Sequence, residues 1–314
     1  MRESRRQRML CIFVLSTLYL MLLSPVPSMA QVEHDDLTGV KVAVYSGGGV
    51  MGSSRIALTR MFEWMNASVV EVTASQIRDD FLNECDILVV PGGSESICNS
   101  ELESDGKQKV KDFVAQGGSY FGICGGSTFA VTYLRLFDGY ISPVSEPGEI
   151  IHMTTMNINK SSTGPDLSEL PSNFTTMYYG SQYFTPKLGT SVHTIATYEY
   201  NGKAGMIALE YGNGTVFISS PHPEYEEDDD RDDTTFGDDL DDPDSEWPLL
   251  FRVSKWLIEA SYIEPSSSTT TTTTTATNTN TTSITLDLPL IVVASTGGVI
   301  VVLIVVAFYR RMHV

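Results

Sequence analysis

Short apolar runs alternate with amphipathic segments along the first half of this chain, and that alternation limits its fold more than any other feature. Residues 41–45, 69–72 and 86–90 have the composition of buried strands, while 54–65 and 107–115 have the apolar spacing of helices. Strands that alternate with helices form a parallel sheet covered on both faces. We therefore predict an α/β fold centred on a parallel sheet.

The second half of the domain has a different pattern. Asn201-Gly202 and Asn213-Gly214 are hairpin-turn signals between short apolar runs. An amphipathic helix over residues 247–261 is expected to close the domain. The apolar runs predict β-strands at residues 177–184, 194–200, 205–210 and 215–219.

Three glycine-rich turns follow the predicted strands of the first half, at residues 46–49, 91–93 and 122–126. Ligands of parallel sheets bind at the carboxyl ends of the strands, so these turns mark the expected site. The third turn contains Cys124 between glycines, which let the backbone bend sharply and hold the side chain out at the strand end. Cys124 is therefore the candidate nucleophile.

A histidine and a carboxylate follow the last predicted strand, in the run Pro-His222-Pro-Glu224. A thiol attacks a carbonyl only as the thiolate, and both a helix N-terminus and a nearby imidazolium favour that form. His222 would act as general base and then as general acid, and Glu224 would orient its ring. The backbone N–H groups of Gly93 and Gly125, with Gly92 beside them, are the candidate oxyanion- and substrate-binding groups.

Each of these features also has a purely structural interpretation. A cysteine in a parallel strand is usually a small buried hydrophobe, and a His-Pro pair is usually a turn. Of the other histidines, His152 and His193 lie in the β-rich half without a neighbouring acid at useful spacing. No cluster of cysteine and histidine predicts zinc, and no nucleotide-binding fingerprint occurs, so we expect neither a metal nor a cofactor.

Cys85 and Cys98 have no assigned role. They flank a predicted strand, which would place them far apart. Cys98 follows a strand that neighbours the strand before Cys124, so a disulfide between these two residues is an alternative that would block the thiol. The disulfide state of Cys85 and Cys98 stays open at this point.

Both ends of the chain carry long apolar runs. The first run has a basic start, an apolar core and a small-x-small cleavage pattern, which together predict a signal peptide. The second would span roughly 33 Å as a helix, and two arginines follow it. This pattern predicts a single transmembrane helix with a cytoplasmic C-terminus.

The predicted organisation therefore has five segments. They are a signal peptide at 1–30, an extracytoplasmic domain at 31–264, a Ser/Thr-rich stalk at 265–287, a membrane span at 288–309 and a cytoplasmic tail at 310–314. Glycosylation acceptors agree with a location outside the membrane. They occur at Asn66, Asn159, Asn173, Asn213 and Asn280.

The net charge is −19, and more than half of the acidic excess lies in one stretch. Residues 225–246, here called the acidic segment, hold about a dozen carboxylates and one arginine. One interpretation is a solvated loop, and the other is a Ca²⁺ site or an electrostatic gate that favours cationic substrates. The segment begins beside Glu224, so we expect it near the candidate site. No basic footprint for nucleic acid is present.

The cysteine turn and the Pro-His-Pro-Glu run resemble the class I glutamine amidotransferase-like superfamily, whose fold is a flavodoxin-like sandwich. The details are most similar to the domain at the N-terminus of eukaryotic biotin–protein ligases. The supporting stretches are residues 44–47, 91–93 and 179–184. The resemblance extends over about 41–256 and implies Cys124 as nucleophile, His222 as base and Glu224 as its partner.

Two positions depart from the patterns of related proteins. Thr128 stands four residues after the cysteine, where members that use glutamine have Gln, and Gly125 stands where the peptidase branch has His.

From the predicted segments, the candidate triad and the resemblance, we expect a membrane-anchored, extracytoplasmic cysteine amidohydrolase that cleaves a small-molecule or peptide amide through a thioester. The alternative is a non-catalytic ectodomain that uses the same fold to bind a ligand or a partner.

Overall fold

The structure, a computed structural model, describes residues 36–226, 230–242 and 244–261. The predicted signal peptide, stalk, membrane span and cytoplasmic tail lie outside these residues. None of the helices within the described ranges combines the length and the apolarity that a bilayer crossing requires.

Strands and helices alternate through the first half, as the apolar pattern predicts. The third helix begins earlier than predicted, and Glu103 interrupts its helical geometry with φ 59° and ψ −165°. The elements are β1 (Lys41–Tyr45), α1 (Gly52–Trp64), β2 (Ser68–Val72), α2 (Ala74–Arg78), β3 (Ile87–Val90), α3 (Glu95–Ala115), β4 (Ser119–Ile123) and α4 (Gly125–Phe129).

The second half is mostly β-structure and ends in a helix, also as predicted. The stretch 177–184 is part of two strands rather than one, because Gly180 turns the chain between them with φ 53°. The elements are β5 (Gly139–Pro143), β6 (Ile151–Ile158), β7 (Asn173–Tyr179), β8 (Gln182–Pro186), β9 (His193–Tyr198), β10 (Ala204–Tyr211), β11 (Gly214–Ser219) and α5 (Trp247–Ser261).

The strands of the described residues join one mixed sheet in the order β2-β1-β3-β4-β11-β10-β9-β6-β7, with β8 pairing β10 and β5. The first five strands in this order are parallel to one another. From β11 onward the neighbours are antiparallel. Strand β11 therefore brings the chain of the β-rich half to the edge of β4, the strand that precedes Cys124.

Successive residues of the parallel strands pack on opposite faces of the sheet, because side chains alternate along a strand. Val42 and Val44 of β1 pack in the core on one face of the sheet, together with Phe62 of α1. Residues of α5 belong to the same core. Tyr45 belongs to the core on the side of Val110 of α3. Both faces are covered, so the strand ends are the accessible part of the parallel sheet.

Candidate functional site

Cys124 occupies a sharp turn between β4 and α4. Its backbone has φ 48° and ψ −109°, a conformation that residues with a Cβ rarely adopt. The turn is fixed because the Cys124 N–H donates to the Ser219 carbonyl at 2.8 Å, and the Ser127 hydroxyl donates to the Cys124 carbonyl at 2.6 Å. The thiol is consequently presented at the carboxyl end of the sheet, where the sequence places the site.

The glycines that follow Cys124 are required by a close backbone approach. A Cβ on Gly125 would collide with the Gly93 carbonyl, and a Cβ on Gly126 would collide with the Val90 carbonyl. The turn after β3 and the turn after β4 are therefore in backbone contact. Gly125 and Gly93 lie side by side next to the thiol, as the candidate oxyanion groups must.

His222 and Glu224 lie directly after β11, which pairs with β4. The backbone N–H of His222 donates to the Met177 carbonyl at 2.9 Å, and this hydrogen bond holds the Pro-His-Pro-Glu run in place. His222 Nδ1 lies 2.9 Å from Glu224 Oε1, and the ring donates this hydrogen bond because a carboxylate only accepts. The exposed fractions of the two residues are 1% and 0%. The carboxylate thus orients the ring in a dry environment.

The pKa values of Cys124 and His222 shift in opposite directions. Burial raises the pKa of the Cys124 thiol, but the charge of the nearby His222 opposes burial, and the pKa lies below its ordinary value. Burial lowers the pKa of His222, yet the charges of Glu224 and Cys124 raise it well above its usual range. Both shifts favour a thiolate–imidazolium pair at neutral pH.

Gly92, Gly93 and Gly125 are brought together with these side chains. A Cβ on Gly92 would lie 2.7 Å from His222 Cε1 and 3.5 Å from Cys124 Cβ. The Gly92 N–H is already donated to the Ser54 hydroxyl at 3.0 Å. The Gly125 N–H interacts with the Cys124 thiol and helps to lower its pKa. Gly93 and Gly125 therefore remain the candidate oxyanion donors.

Ser54 is a buried member of the site that the sequence did not reveal. Its hydroxyl donates to Glu224 Oε1 at 2.6 Å, and the residue has no solvent exposure. The two residues are 170 positions apart in the chain. A single serine near the start of a helix has no sequence pattern that predicts such a contact, so only the tertiary structure could identify it.

Thr128, the residue at the position of the expected glutamine, contacts a glutamine from another strand. Its hydroxyl donates to Gln182 Oε1 at 3.2 Å. Gln182 is held by its own backbone, since its N–H donates to Ser220 Oγ at 2.6 Å and its carbonyl accepts from the Tyr198 hydroxyl at 2.8 Å. An amide side chain thus lies beside the cysteine turn, although it comes from β8 rather than from α4.

The acidic segment lies beside this site, as its position in the sequence predicts. Phe236 lies 5.2 Å from Tyr225 and 6.3 Å from Tyr179 between ring centroids. Tyr225 and Tyr179 are in turn 5.6 Å and 6.0 Å from the ring of His222. Aromatic contacts therefore connect the segment to the imidazole.

The acidic segment is not the fully solvated loop that its composition suggests. The most buried of its described carboxylates are less than a tenth exposed, namely Glu226, Asp232, Asp242 and Glu246. Arg231 pairs with Glu226 and lies 4.4 Å above the ring of Trp247 and 5.7 Å from that of Trp64. Burial raises the pKa of Asp232 to about 6, although hydrogen bonds oppose the shift. The arginine and these aromatic rings anchor the segment to the domain.

The three described cysteines are free thiols, so the proposed disulfide between Cys98 and Cys124 is not formed. Cys98 lies on the opposite face of the sheet, where its thiol donates to the Gly48 carbonyl at 3.6 Å. Burial, followed by the charge of Glu101, raises the pKa of Cys98 to about 12. Cys98 is therefore a buried structural thiol.

His193 has an acidic partner that spacing along the chain did not reveal. His193 Nε2 lies 3.1 Å from Glu210 Oε1, and its Nδ1 lies 2.9 Å from the Thr163 hydroxyl. The partner comes from β10, which pairs with β9, so the contact is made across strands. This pair is separate from the cysteine turn.

No group of three or more His, Cys, Asp or Glu side chains with metal-binding geometry occurs in residues 36–226, 230–242 and 244–261. The Ca²⁺ interpretation of the acidic segment therefore stays a prediction without a defined set of ligands.

Comparison with known proteins shows similarity to biotin–protein ligases. Residues 40–139 match the family model described as "Biotin-protein ligase, N terminal". The biotin–protein ligase of Schizosaccharomyces pombe is 26% identical over 214 residues, and the match covers 59% of this chain and 33% of that protein. The chain thus spans about a third of the length of the yeast ligase.

Two further proteins are similar. An uncharacterized protein of Chlamydia muridarum is 22% identical over 214 residues, which cover 59% of this chain and 80% of that protein. The structure of a glutamine amidotransferase from Thermotoga maritima superposes with a TM-score of 0.46 and 13% identity, covering 71% of this chain and 90% of that one. The resemblance to the biotin–protein ligase N-terminal domain that the sequence predicts is confirmed by the family model over residues 40–139.

Proposed function

We propose that this protein is a cysteine amidohydrolase in which Cys124, His222 and Glu224 form the catalytic triad. The observation that carries the proposal is the buried imidazole of His222, whose ring donates a hydrogen bond to the Glu224 carboxylate and whose charge lowers the pKa of the nearby Cys124 thiol. A buried imidazole between a thiol and a carboxylate matches the requirements of nucleophilic catalysis.

In the proposed reaction the Cys124 thiolate attacks the carbonyl carbon of an amide. The N–H groups of Gly93 and Gly125 stabilise the oxyanion of the tetrahedral intermediate. The imidazolium of His222 then donates its proton to the departing nitrogen, which leaves as an amine, and a thioester remains on Cys124. Neutral His222 removes a proton from water, the hydroxide attacks the thioester, and a carboxylic acid and the thiol are released.

The substrate in this proposal is a small-molecule or peptide amide. We do not extend the proposal to glutamine hydrolysis, because Thr128 stands where members that use glutamine have an amide side chain. We also do not extend the proposal to biotin transfer, because the match covers only about a third of the yeast ligase.

The first test is alkylation of Cys124 by iodoacetamide as a function of pH, followed by peptide mass spectrometry on the full-length chain. We expect reaction to persist well below the pH at which an ordinary thiol ionises, about 8.5, because the thiolate is stabilised. The substitution His222→Ala should slow alkylation at pH 6 by about a hundredfold, since the imidazolium is lost.

His193→Ala is the matched control, because it removes a His–Glu pair of similar geometry away from the cysteine. It should leave the profile unchanged. A wild-type profile with an ordinary midpoint, unaltered by His222→Ala, would reject the hydrolase and favour the alternative of a binding ectodomain. An activated thiol would justify a screen of amide substrates.

We also propose that the domain lies outside the cell membrane and that residues 288–309 anchor it. The basis is the apolar run and the two arginines that follow it, together with the apolar N-terminal run. Protease added to intact cells should digest a tag placed after the predicted cleavage site but spare a C-terminal tag. Protection of both tags would contradict this topology.

A further inference from the structure

Ser54 lies in the first turn of α1, and its side chain is buried between two elements of the site. It has no solvent exposure. Its hydroxyl donates to Glu224 Oε1 at 2.6 Å and accepts the Gly92 N–H at 3.0 Å. The donor and acceptor functions of the hydroxyl are both used, so its orientation is determined.

The two hydrogen bonds of Ser54 connect the proposed triad with the proposed oxyanion-binding turn. Glu224 Oε1 is the same oxygen that accepts the hydrogen bond of His222, at 2.9 Å. Gly92 precedes Gly93 in the turn that supplies a candidate oxyanion donor and contacts the His222 ring. One hydroxyl therefore connects the carboxylate that orients the base with the turn that would bind the oxyanion.

We propose that Ser54 is a positioning residue of the site, which keeps the Glu224 carboxylate aligned with His222 and fixes the turn at Gly92. The proposal rests on the proposed function as far as catalysis is concerned, but its test follows the reactivity of the thiol and does not require turnover.

The physical reason is the position of the Glu224 carboxylate. The Ser54 hydroxyl holds Glu224 Oε1 against the ring of His222, where the negative charge raises the pKa of the imidazole. Without that donor the carboxylate is held less firmly against the ring, and the imidazolium form of His222 is favoured less. A neutral imidazole stabilises the Cys124 thiolate less than an imidazolium does. Loss of Ser54 should therefore make the thiol less reactive at low pH.

The test compares Ser54→Ala with Ser53→Ala in the alkylation assay on the full-length chain. Ser53 is the matched control, because its hydroxyl also bonds to the loop after β11, at 2.9 Å from the Tyr225 hydroxyl, but does not reach Glu224. We expect Ser54→Ala to move the pH profile to higher pH and to slow alkylation at pH 6 about tenfold, the effect of one hydrogen bond to a charged group. Ser53→Ala should change this rate less than about twofold.

A double-mutant cycle separates positioning from general loosening of the fold. In a Glu224→Gln background, Ser54→Ala should have no further effect on the profile, because there is no carboxylate to hold beside the imidazolium. Equal shifts from Ser54→Ala in both backgrounds, or equal shifts from Ser53→Ala and Ser54→Ala, would overturn the inference. An ordinary profile in the wild type would reject the proposed function instead, so the two failures are distinguishable.

Discussion

The turn at Cys124 and the acidic segment meet beside His222, but they are held in place in different ways. The turn is formed by backbone bonds and glycine contacts within two adjacent strand ends. The segment is anchored by side chains, chiefly Arg231 against Trp247 and Phe236 against Tyr225. A sharp backbone turn requires glycines, which can be seen in the local sequence. Anchoring by side chains depends on partners that are distant in the sequence. The turn was consequently predicted and the docking of the segment was not.

This difference implies that the acidic segment should respond strongly to the loss of one side chain. Arg231→Ala removes the partner of Glu226, which is 5% exposed, and the stacking on Trp247. We expect the segment to lose about 2 kcal/mol of docking free energy, because an almost buried carboxylate is left without its countercharge. Limited proteolysis between residues 226 and 246 should accelerate roughly thirtyfold, with a change in tryptophan fluorescence.

Arg60→Ala is the control for this experiment. Arg60 also pairs with the segment, through Asp233 at 2.7 Å, but both side chains are about half exposed. An exposed ion pair contributes at most about 1 kcal/mol, so proteolysis should change little. If the two variants were cleaved at equal rates, Arg231 would not be the anchor and the contrast with the cysteine turn would fail.

The cysteine turn should show a smaller effect of opposite sign. Cys124 has φ 48°, and a glycine adopts this conformation without the steric cost of a Cβ. We therefore expect Cys124→Gly to be about 1 kcal/mol more stable than Cys124→Ala, which corresponds to roughly 3 °C in Tm. Thermal unfolding monitored by circular dichroism measures the difference. Equal stability of the two variants would show that the turn stores no strain.

Much of the fold was predictable because its determinants are local. The apolar runs identified β1 and β3, and the hairpin signals at Asn201 and Asn213 identified the turns that border β10. The split at Gly180 was missed, although the pair Gly180-Ser181 is itself a hairpin-turn signal. The partnership of His193 with Glu210 was missed because it crosses strands rather than following the chain.

By itself the sequence determined the identity of the candidate site residues. A cysteine among glycines and a histidine two residues before a glutamate have restricted chemical uses, and strand order places both at the carboxyl end of the sheet. Only the tertiary structure decided how they are supported. The Ser54 hydroxyl, the amide of Gln182 and the ring of Phe236 reach the site from distant parts of the chain. Such contacts depend on how elements pack in three dimensions, and packing partners leave no periodic pattern in one chain.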